Sequence, residues 1–459
     1  MLACAKDNDV TSGLATRPLT VIVGMGDTGC ACARYLHGPD SRLAVMDSRE
    51  QPPGYRTLKA ELPDVPLYTG GFDPDLLNEA ACVVLSPGVA PDEPALASVR
   101  SRGVPIIGDI EIFARAARAP VLAITGSNGK STVTSLLATM GRACGYTVWS
   151  GGNLGPPALD LLAKPAPDFY LLELSSFQLE TTTSLEPAVA TVLNLSPDHL
   201  DRHAGIEQYS ELKQRIFHGP GAMVLNQDDP RVWAMALNGR QTTGFTLGEP
   251  FGGSFGLRSR ENSRWLSYGQ EYLIPEADLL VLGDHNLANA LAALAMGNAA
   301  GFPMAGMLDA LRHFRGLPHR CQLITEYQGV RWYNDSKATN VAAAVAALRG
   351  MPRNGKVVLI AGGEAKETDF SSLADAIAER ARSVVLFGRD AERIAAAIGG
   401  RAPTHIAADM RQAVGTAQAA AQAGDSVLLS PACASFDLFA DYTDRGERFV
   451  TAVHEVTAA

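Results

Sequence analysis

Residues 124–132 read ITGSNGKST, and this stretch decides the fold of the region around it. It follows a hydrophobic run at 121–124 and precedes a segment whose apolar residues recur at three- and four-residue spacing. This pattern predicts a strand, a tight glycine turn and a helix. Such a turn directs several backbone N–H groups and the positive end of the helix dipole toward one point, where a phosphate group binds favourably.

The residues of the turn match the needs of a nucleotide phosphate. The glycines permit close backbone approach, the lysine adds a positive charge, and the two hydroxyls that follow suit a phosphate-bound Mg²⁺. The loop is shorter than the common P-loop, so the alternative is an ordinary helix cap with a surface lysine. We predict that ATP contacts Gly126, Ser127, Asn128, Gly129, Lys130, Ser131 and Thr132.

Composition narrows the class of protein. With 459 residues the chain is long enough for about three domains. The net charge of −10 argues against a broad nucleic-acid or anionic-membrane surface, so we expect no nucleic-acid partner. The seven cysteines are scattered without a C-x-x-C pair, which fits a reducing compartment. No stretch has the pattern of a signal peptide or a membrane span, and we expect a cytoplasmic protein without membrane insertion.

A second glycine turn lies near the N-terminus. Gly24, Gly26 and Gly29 follow an apolar run and open a predicted helix, and Asp47 ends the next strand about twenty residues later. Taken alone, this pattern indicates NAD, but a nucleotide-sugar would bring its pyrophosphate to the same turn. The run 83–89, VVLSPGV, predicts another strand that ends at the same edge of the sheet.

Several polar side chains follow the strands of the central region. Glu173 ends an apolar strand beside the phosphate loop, where a carboxylate suits Mg²⁺. The run 189–203 predicts another buried strand, followed by a polar cluster that contains His199. By itself Lys213, on the next predicted helix, has the pattern of a surface lysine. Residues 241–281 predict a β-rich insert.

The last third of the chain alternates strands and helical segments, which predicts another open α/β sheet. Before it, Asn286 and Asn289 lie three residues apart at a helix start, so they share one face that suits a purine or ribose edge. Cationic and hydroxyl groups at the strand ends of the last third suit a small carboxylate-bearing molecule. These groups are Lys337, Thr339, Lys366 and Ser435.

With these motifs taken together, the chain resembles the Mur ligases over nearly its whole length. The motifs that carry the resemblance are TGSNGKST, GGNLG, ELSSFQLE, LNLSPDHLDRH, HNLANALAA, GLPHR, NDSKATN and SPACASFD. The resemblance implies an α/β protein with three domains. It implies a Rossmann-like UDP-sugar domain at 1–108, a P-loop ATPase-like central domain with a parallel sheet at 109–316, and a Rossmann-like amino-acid domain at 317–459.

The resemblance also implies a reaction. ATP phosphorylates the terminal carboxylate of UDP-N-acetylmuramoyl-L-alanine, and the amine of D-glutamate attacks the acyl phosphate. Two Mg²⁺ ions assist, and Lys213 is implied to be carbamylated by CO₂. The implied catalytic residues are Lys130, His199 and Lys213. The implied metal ligands are Ser131, Glu173, His199 and Lys213. The chain is expected to act as a monomer.

The implied substrate contacts fall in three groups. ATP is expected to contact Asn286, Asn289 and Asp335 in addition to the phosphate loop. The UDP-sugar is expected to contact Met25, Asp27, Thr28, Asp47, Arg49, Ser86, Gly88 and Asn153. Glutamate is expected to contact Arg320, Lys337, Thr339, Lys366, Ser435 and Tyr442.

Three positions depart from the family pattern. Asp27 places an anion close to the expected pyrophosphate, Tyr442 stands where phenylalanine is expected, and His203 stands where tyrosine is expected. The Tyr442 hydroxyl is expected either to hydrogen-bond near the glutamate or to face solvent.

Several alternative functions stay open at this point. One is a relative that adds another amino acid such as L-glutamate, or a folylpolyglutamate synthetase, although the N-terminal domain disfavours the folate enzyme. An NAD(P)-dependent oxidoreductase and a nucleotide-gated binding module are alternatives from other classes.

Overall fold

The computed structural model describes residues 17–196, 202–281, 283–365 and 369–458. Within these ranges the chain alternates strands with helices and forms three sheets that are mainly parallel. The predicted α/β fold class is therefore confirmed. No helix in the described ranges is long and apolar enough to cross a membrane.

The first sheet is built from the N-terminal region. Its strands are β1 (Leu19–Val23), β2 (Arg42–Asp47), β3 (Leu67–Thr69), β4 (Ala80–Leu85) and β5 (Ile106–Ile107). Its helices are α1 (Asp27–Leu36), α2 (Tyr55–Glu61), α3 (Pro74–Glu79) and α4 (Ala97–Ser101). All strand pairs are parallel, in the order β3-β2-β1-β4-β5. The strand order reverses between β1 and β4, and a crevice for ligands forms at such a point.

The glycine turn after β1 is held by close packing. Gly24 has a φ of +106°, and a Cβ at this position would lie 2.7 Å from the side chain of Ser86. A Cβ on Gly29, in α1, would lie 1.8 Å from the carbonyl oxygen of Gly24. The turn therefore needs glycine for its conformation, and α1 needs glycine for its approach to the strand.

The second sheet forms the central region. Its strands are β6 (Val121–Thr125), β7 (Val148–Gly152), β8 (Phe169–Glu173), β9 (Val189–Val192), β10 (Ala222–Asn226), β11 (Thr242–Phe245), β12 (Phe255–Arg260), β13 (Ser263–Tyr268) and β14 (Glu271–Pro275). The helices in this part of the chain are α5 (Asp109–Ala116), α6 (Lys130–Ala143), α7 (Ala158–Leu161), α8 (Ser176–Glu180), α9 (Ile206–Gln214), α10 (Pro230–Trp233), α11 (Asp284–Ala299) and α12 (Met304–His313).

The parallel part of this sheet has the order β12-β11-β10-β9-β6-β8-β7. The strand of the phosphate loop, β6, therefore lies between β8 and β9. The carboxyl ends of parallel neighbours meet at one edge, so Glu173, which ends β8, and the residues after β9 lie beside the loop. The predicted β-rich insert is confirmed as strands, and its first strand, β11, extends the parallel sheet.

The third sheet is formed by the last third of the chain. Its strands are β15 (Gln322–Tyr327), β16 (Val330–Asn334), β17 (Val357–Gly362), β18 (Ala381–Phe387), β19 (Thr404–Ile406) and β20 (Ser426–Leu429). Its helices are α13 (Val341–Gly350), α14 (Ser371–Arg380), α15 (Ala391–Ile398), α16 (Met410–Ala420) and α17 (Tyr442–Ala458). The order is β15-β16-β20-β17-β18-β19, and only the β15 pair is antiparallel.

The contacts divide the chain into two compact units. The first comprises residues 1–257, 267–271 and 291–308, and the second comprises 258–266, 272–290 and 309–459. In each unit, apolar strand residues are buried under helices; Ile22 and Leu172 exemplify the first unit, and Leu359 and Leu428 the second. The predicted domain boundaries after residues 108 and 316 stay predictions.

Candidate active site

The phosphate loop has the conformation that a strand-to-helix anion site requires. Gly126 and Gly129 have φ values of +149° and +85°, and Gly129 is the N-cap of α6. A Cβ on Gly126 would lie 3.0 Å from Cβ of Leu193. The first N–H groups of a helix have no partner within the helix, so those of α6 are placed to bind phosphate oxygens. Ser131 and Thr132 lie in the first turn and are mostly buried.

Two interactions hold the loop in place. The Lys130 ammonium donates to the carbonyl oxygens of Gly126 and Ser127, at 2.8 and 2.9 Å. Asn194 follows β9 and accepts two hydrogen bonds from the loop. Its backbone carbonyl accepts from the Ser127 N–H at 2.9 Å, and its side-chain oxygen accepts from the Asn128 N–H at 2.8 Å. The side-chain amide of Asn194 also donates to the Asn128 carbonyl, at 3.1 Å. Asn194 therefore fixes the phosphate loop from the neighbouring strand end.

Glu173 is a buried carboxylate at the edge of the sheet. It is 2% exposed, and its Oε1 accepts from Nδ2 of Asn153 at 2.9 Å. Its Oε2 is buried and has no hydrogen-bond partner among the described residues. A buried oxygen of this kind is costly unless it binds something, and carboxylate oxygens are the ligands that Mg²⁺ prefers. Glu173 therefore fits its predicted role as a metal ligand.

Lys213 lies against the phosphate loop, although its helix gave it the pattern of a surface residue. It is 1% exposed, and its ammonium nitrogen donates to Oγ1 of Thr125 and to the Gly126 carbonyl, both at 3.1 Å. The same nitrogen is 4.6 Å from the ring centroid of Tyr209. A buried lysine beside a phosphate site is rare enough to indicate function.

The other residues predicted around this loop divide between described and undescribed parts of the chain. His199, with Asp198 and Asp201, lies outside the described residues. His203 is described and buried; its Nε2 is 3.0 Å from Oγ of Ser176, and its ring stacks on Phe177. In the described ranges, no three His, Cys, Asp or Glu side chains form a group that could hold a metal ion.

The N-terminal crevice has a volume of about 490 Å³, in the range of small-molecule sites. Seven of the eight predicted UDP-sugar contacts line it: Asp27, Thr28, Asp47, Arg49, Ser86, Gly88 and Asn153. Met25 is fully buried, and its N–H and carbonyl both hydrogen-bond within the protein, to Asp47 and Gly54. The structure therefore gives Met25 a supporting position behind the crevice.

Asp47, which lines this crevice, accepts several hydrogen bonds. Its Oδ2 accepts from the Met25 N–H at 2.7 Å, and its two oxygens accept from Nε and NH2 of Arg49 at 2.8 and 2.7 Å. Burial raises the pKa of Asp47, but the hydrogen bonds from Arg49 and Met25 outweigh it and lower this pKa to about 2. Asp47 is therefore ionised, and it fixes the Arg49 guanidinium at the crevice.

Gln178 also lines the crevice and was not among the predicted site residues. Its Oε1 accepts from the Ser175 N–H at 3.1 Å in a capping box at the start of α8, and its Nε2 donates to Oδ2 of Asp109 at 3.1 Å. The capping-box spacing from Ser175 to Gln178 is visible in the sequence, and it predicts a helix start at the edge of the sheet.

Asn286 and Asn289, in the second unit, lie on one face of α11, as predicted. Both are mostly buried, and Nδ2 of Asn289 is 3.5 Å from Oδ1 of Asn286. Their proposed contact with ATP stays a prediction.

Asp335 follows β16 and is held by two donors. Its Oδ1 accepts from the Cys321 N–H at 3.1 Å and its Oδ2 from the Ser430 hydroxyl at 2.8 Å. Burial raises the pKa of Asp335 to about 7, and the Ser430 hydrogen bond and the positive charge of Arg320 oppose this only in part. A carboxylate with this pKa changes charge easily when a ligand approaches.

The described glutamate contacts come from four segments of the second unit, and Arg320 lies on the first of them, just before β15. Lys337 and Thr339 follow β16, Ser435 follows β20, and Tyr442 begins α17. The Lys337 ammonium is 3.4 Å from the Tyr442 hydroxyl and 4.9 Å from its ring centroid. The Tyr442 hydroxyl therefore faces the lysine. Lys366 lies outside the described residues.

Comparison with known proteins gives a consistent result along the chain. The model for the Mur ligase MurD-like N-terminal domain matches residues 19–108. The Mur ligase middle domain matches 124–297, and the Mur ligase glutamate ligase domain matches 319–433.

Relatives match over almost the full length. The UDP-N-acetylmuramoylalanine–D-glutamate ligase of Nitrosococcus oceani is 53% identical over 437 residues, which cover 95% of this chain and 96% of the relative. The protein of the same name from Marinobacter nauticus is 50% identical over 435 residues, covering 95% and 97% of the two chains.

Solved structures share the fold at low sequence identity. The UDP-N-acetylmuramate-alanine ligase MurC of Thermotoga maritima superposes with a TM-score of 0.60 at 18% identity, covering 95% of this chain and 99% of that one. MurF ligase of the same organism, in complex with ADP, gives 0.60 at 17% identity, covering 98% and 99%. These likenesses concern the fold alone.

The three sheets, the phosphate loop and the buried groups around it define an α/β enzyme that binds a nucleotide. The chain belongs to the Mur ligase family. Mur ligases are ATP-dependent ligases that form amide bonds.

Proposed function

We propose that this protein joins D-glutamate to UDP-N-acetylmuramoyl-L-alanine with consumption of ATP, in the synthesis of peptidoglycan precursors. The observation that carries the proposal is the phosphate loop, with buried Glu173 on the neighbouring strand and buried Lys213 against its backbone. The choice of D-glutamate is supported by relatives of that printed name that are about half identical over nearly the whole chain.

The chemistry explains why an amide ligase needs a phosphate loop. A carboxylate is a poor acylating agent, so it must first gain a phosphate as leaving group. The γ-phosphoryl group of ATP moves to the terminal carboxylate of the UDP-sugar substrate and leaves ADP. The amine of glutamate then attacks the acyl carbon, and phosphate departs from the tetrahedral intermediate. Negative charge accumulates during the first step, and we assign its stabilisation to Lys130 and the N–H groups of α6.

The residues near the loop fit divalent cations, because Glu173 presents a buried oxygen without a described partner. We assign two Mg²⁺ ions to Ser131, Glu173, His199 and Lys213. When bound, Mg²⁺ would neutralise charge on the phosphates and orient them. Glu173 is held for this role by Asn153, which also donates its N–H to the Glu173 carbonyl at 2.8 Å.

Lys213 fits this set of ligands if its amine is carbamylated. The neutral amine is the form that reacts with CO₂. The ammonium first loses one proton to solvent, and the neutral nitrogen then attacks the carbon of CO₂. An N–C bond forms, one C–O π bond opens onto oxygen, and a second proton leaves to solvent, so that a cation becomes an anion. Addition of ¹³C-bicarbonate should give a carbamate signal in NMR that disappears in Lys213→Gln and persists in Lys164→Gln, a variant of a lysine that packs on Trp149. A signal that survives in Lys213→Gln would contradict the assignment.

The UDP-sugar is assigned to the N-terminal crevice. Its pyrophosphate fits the start of α1, and Arg49, fixed by Asp47, adds a positive charge. Asp27, in the first turn of α1, also lines the crevice, so its charge lies close to the bound ligand. Glutamate is assigned to the strand ends of the third sheet, where Lys337 and Thr339 lie in one loop and Ser435 in another. Arg320, Lys366 and Tyr442 complete this assignment.

We further propose that the protein acts as a monomer in the cytoplasm. None of the six cysteines in the described ranges is joined in a disulfide bond, which supports a reducing compartment. Sedimentation at several protein concentrations tests the monomer: a mass that rises with concentration would overturn it.

The first experiment measures phosphate release from ATP in the presence of UDP-N-acetylmuramoyl-L-alanine, with D-glutamate or L-glutamate in parallel. We expect release with D-glutamate alone. Release with L-glutamate would assign the protein to a sister activity. Release with neither amino acid would leave the nucleotide site without its acceptor and would overturn the proposal.

A further inference from the structure

Arg445 is a fully buried arginine in the first turn of α17. Its Nε donates to Oγ of Ser336 at 3.0 Å and its NH2 to the Ser336 carbonyl at 2.7 Å. Its NH1 donates to the carbonyls of Cys433 and Ala434, at 3.0 and 3.3 Å. The guanidinium therefore binds two loops that are about a hundred residues apart in the sequence.

These two loops carry the proposed glutamate contacts. Ser336 directly precedes Lys337, and Ala434 directly precedes Ser435. The Ser336 hydroxyl also donates to the Tyr442 carbonyl at 2.7 Å, which ties the first loop to the start of α17. Arg445 thus lies behind the site and joins three of its segments.

The second loop needs such support because part of it is strained. Ala432 is buried and has a φ of +61°, in the left-handed region that is unfavourable for a residue with a Cβ. Such conformations persist only where surrounding contacts fix them. Arg445 holds the carbonyls of the next two residues.

The charge of Arg445 gives a second argument. None of its described hydrogen bonds goes to a carboxylate, since all four acceptors are neutral oxygens. Burial lowers the pKa of Arg445 to about 10, and negative charges such as Asp437 and Asp335 oppose this only in part. A buried cation with neutral partners contributes little to the stability of the folded protein. We therefore attribute the role of Arg445 to the geometry that its planar guanidinium group imposes on the two loops.

We propose that Arg445 is a positioning residue of the amino-acid site, whose fork holds the Lys337–Thr339 loop and the Ser435 loop in the geometry that binds glutamate. This inference deepens the proposed function and rests on it. Lysine would keep the positive charge at this position, but its single ammonium group cannot span both loops.

The test compares Arg445→Lys with Arg448→Lys. Arg448 lies three residues further along α17, is exposed, and pairs with Asp444 at 2.8 Å, so it serves as the matched control. We expect Arg445→Lys to raise the KM for D-glutamate about tenfold and to leave the KM for ATP and for the UDP-sugar within about twofold, because Arg445 hydrogen-bonds no residue that is assigned to those two substrates. Arg448→Lys should leave all three unchanged. A rise for D-glutamate below about threefold, or an equal rise for all three substrates, overturns the proposal.

Two further measurements keep the test decisive. Ser336→Ala removes one hydrogen-bond acceptor of the Arg445 guanidinium, and it is used instead of Arg445→Lys if that variant does not fold. Ser336→Ala should raise the KM for D-glutamate about threefold to fivefold.

Hydrogen exchange of peptides covering 335–340 and 431–436 measures the stability of the two loops in the absence of substrate. Arg445→Lys, or Ser336→Ala in its place, should speed exchange in both, and unchanged exchange overturns the proposal. If the wild-type protein shows no D-glutamate-dependent phosphate release, the proposed function fails while the exchange result still decides the role of Arg445.

Discussion

Replacing Glu173 with glutamine separates a ligand-binding role of this residue from a structural one. The substitution removes a negative charge and keeps the size of the side chain. Oε1 of Glu173 accepts from Asn153, and a glutamine oxygen can accept the same hydrogen bond. Oε2 has no described partner, so no described contact of the ligand-free protein is lost. A structural role predicts lower stability, and a ligand-binding role predicts no loss.

The size of the effect follows from the burial of Glu173. A buried polar atom without a hydrogen bond costs about 1–3 kcal/mol, and a charge costs more than an amide. We therefore expect the glutamine variant to equal the wild type in free energy of unfolding or to exceed it by up to about 2 kcal/mol. Each kcal/mol added to the free energy of unfolding raises the Tm by about 2–4 °C for a domain of about 150–250 residues. Ligand at a hundred times its Kd adds about 2.7 kcal/mol to the wild type, and we expect most of this gain to be lost in the variant.

The assay is thermal unfolding of both proteins with and without Mg²⁺ and a non-hydrolysable ATP analogue, together with phosphate release. The control is Glu180→Gln, which removes a carboxylate from α8 that pairs with Arg202 and has no proposed ligand. The control should keep the nucleotide-dependent rise in Tm. A ligand-free Glu173→Gln protein that is more than about 2 kcal/mol less stable would refute the reasoning, as would a variant with the full nucleotide-dependent rise.

Three further predictions concern pH and backbone conformation. The pKa of Asp335 is raised from 3.8 to about 7, so ionisation of this carboxyl lowers the stability of the folded protein as pH rises from about 4 to 7. Thermal unfolding should therefore show Asp335→Asn to be more stable than the wild type above pH 7, by up to about 4 kcal/mol. This gain should vanish near pH 4. Asp47 has its pKa lowered to about 2, so Asp47→Asn should lose about 2 kcal/mol at pH 7, and this loss should shrink as pH falls from about 4 to 2. For either residue, a stability difference between variant and wild type that does not change with pH would contradict the shifted pKa. Gly24→Ala should lower the free energy of unfolding by about 1–3 kcal/mol and abolish uridine-nucleotide binding, because residue 24 has a φ of +106° and its new Cβ would clash with Ser86. The control Gly88→Ala should keep the wild-type Tm, because a Cβ at residue 88 has no atom within 4 Å. Equal Tm values for the two variants would contradict this prediction.

Local sequence was enough to predict the phosphate loop and the sheets. Glycines, a lysine and hydroxyls at fixed spacing between an apolar run and a helical pattern specify a strand, a turn and a helix, because each of these depends on residues close in the chain. The same reasoning placed Glu173 at a strand end beside the loop and the two asparagines of α11 on one face.

Side chains whose roles depend on distant partners were less predictable. Lys213 had the pattern of a surface lysine, and only the tertiary structure buries it and brings its nitrogen to Thr125 and Gly126. Gln178 lines the N-terminal crevice although it lies in the central region. The N–H and the carbonyl of Met25 are bonded to Asp47 and Gly54, and its contact with the substrate stays a prediction.

The sequence by itself determined the α/β class, the phosphate loop and, through its motifs, the family. These features are local, since propensity, periodicity and turn chemistry act over a few residues. Tertiary structure alone decided which side chains are buried at the site and which partners they have. Arg445 shows the reason: its four hydrogen bonds reach loops about a hundred and about ten residues away, and no spacing in the sequence encodes a contact that exists only after the third sheet has formed.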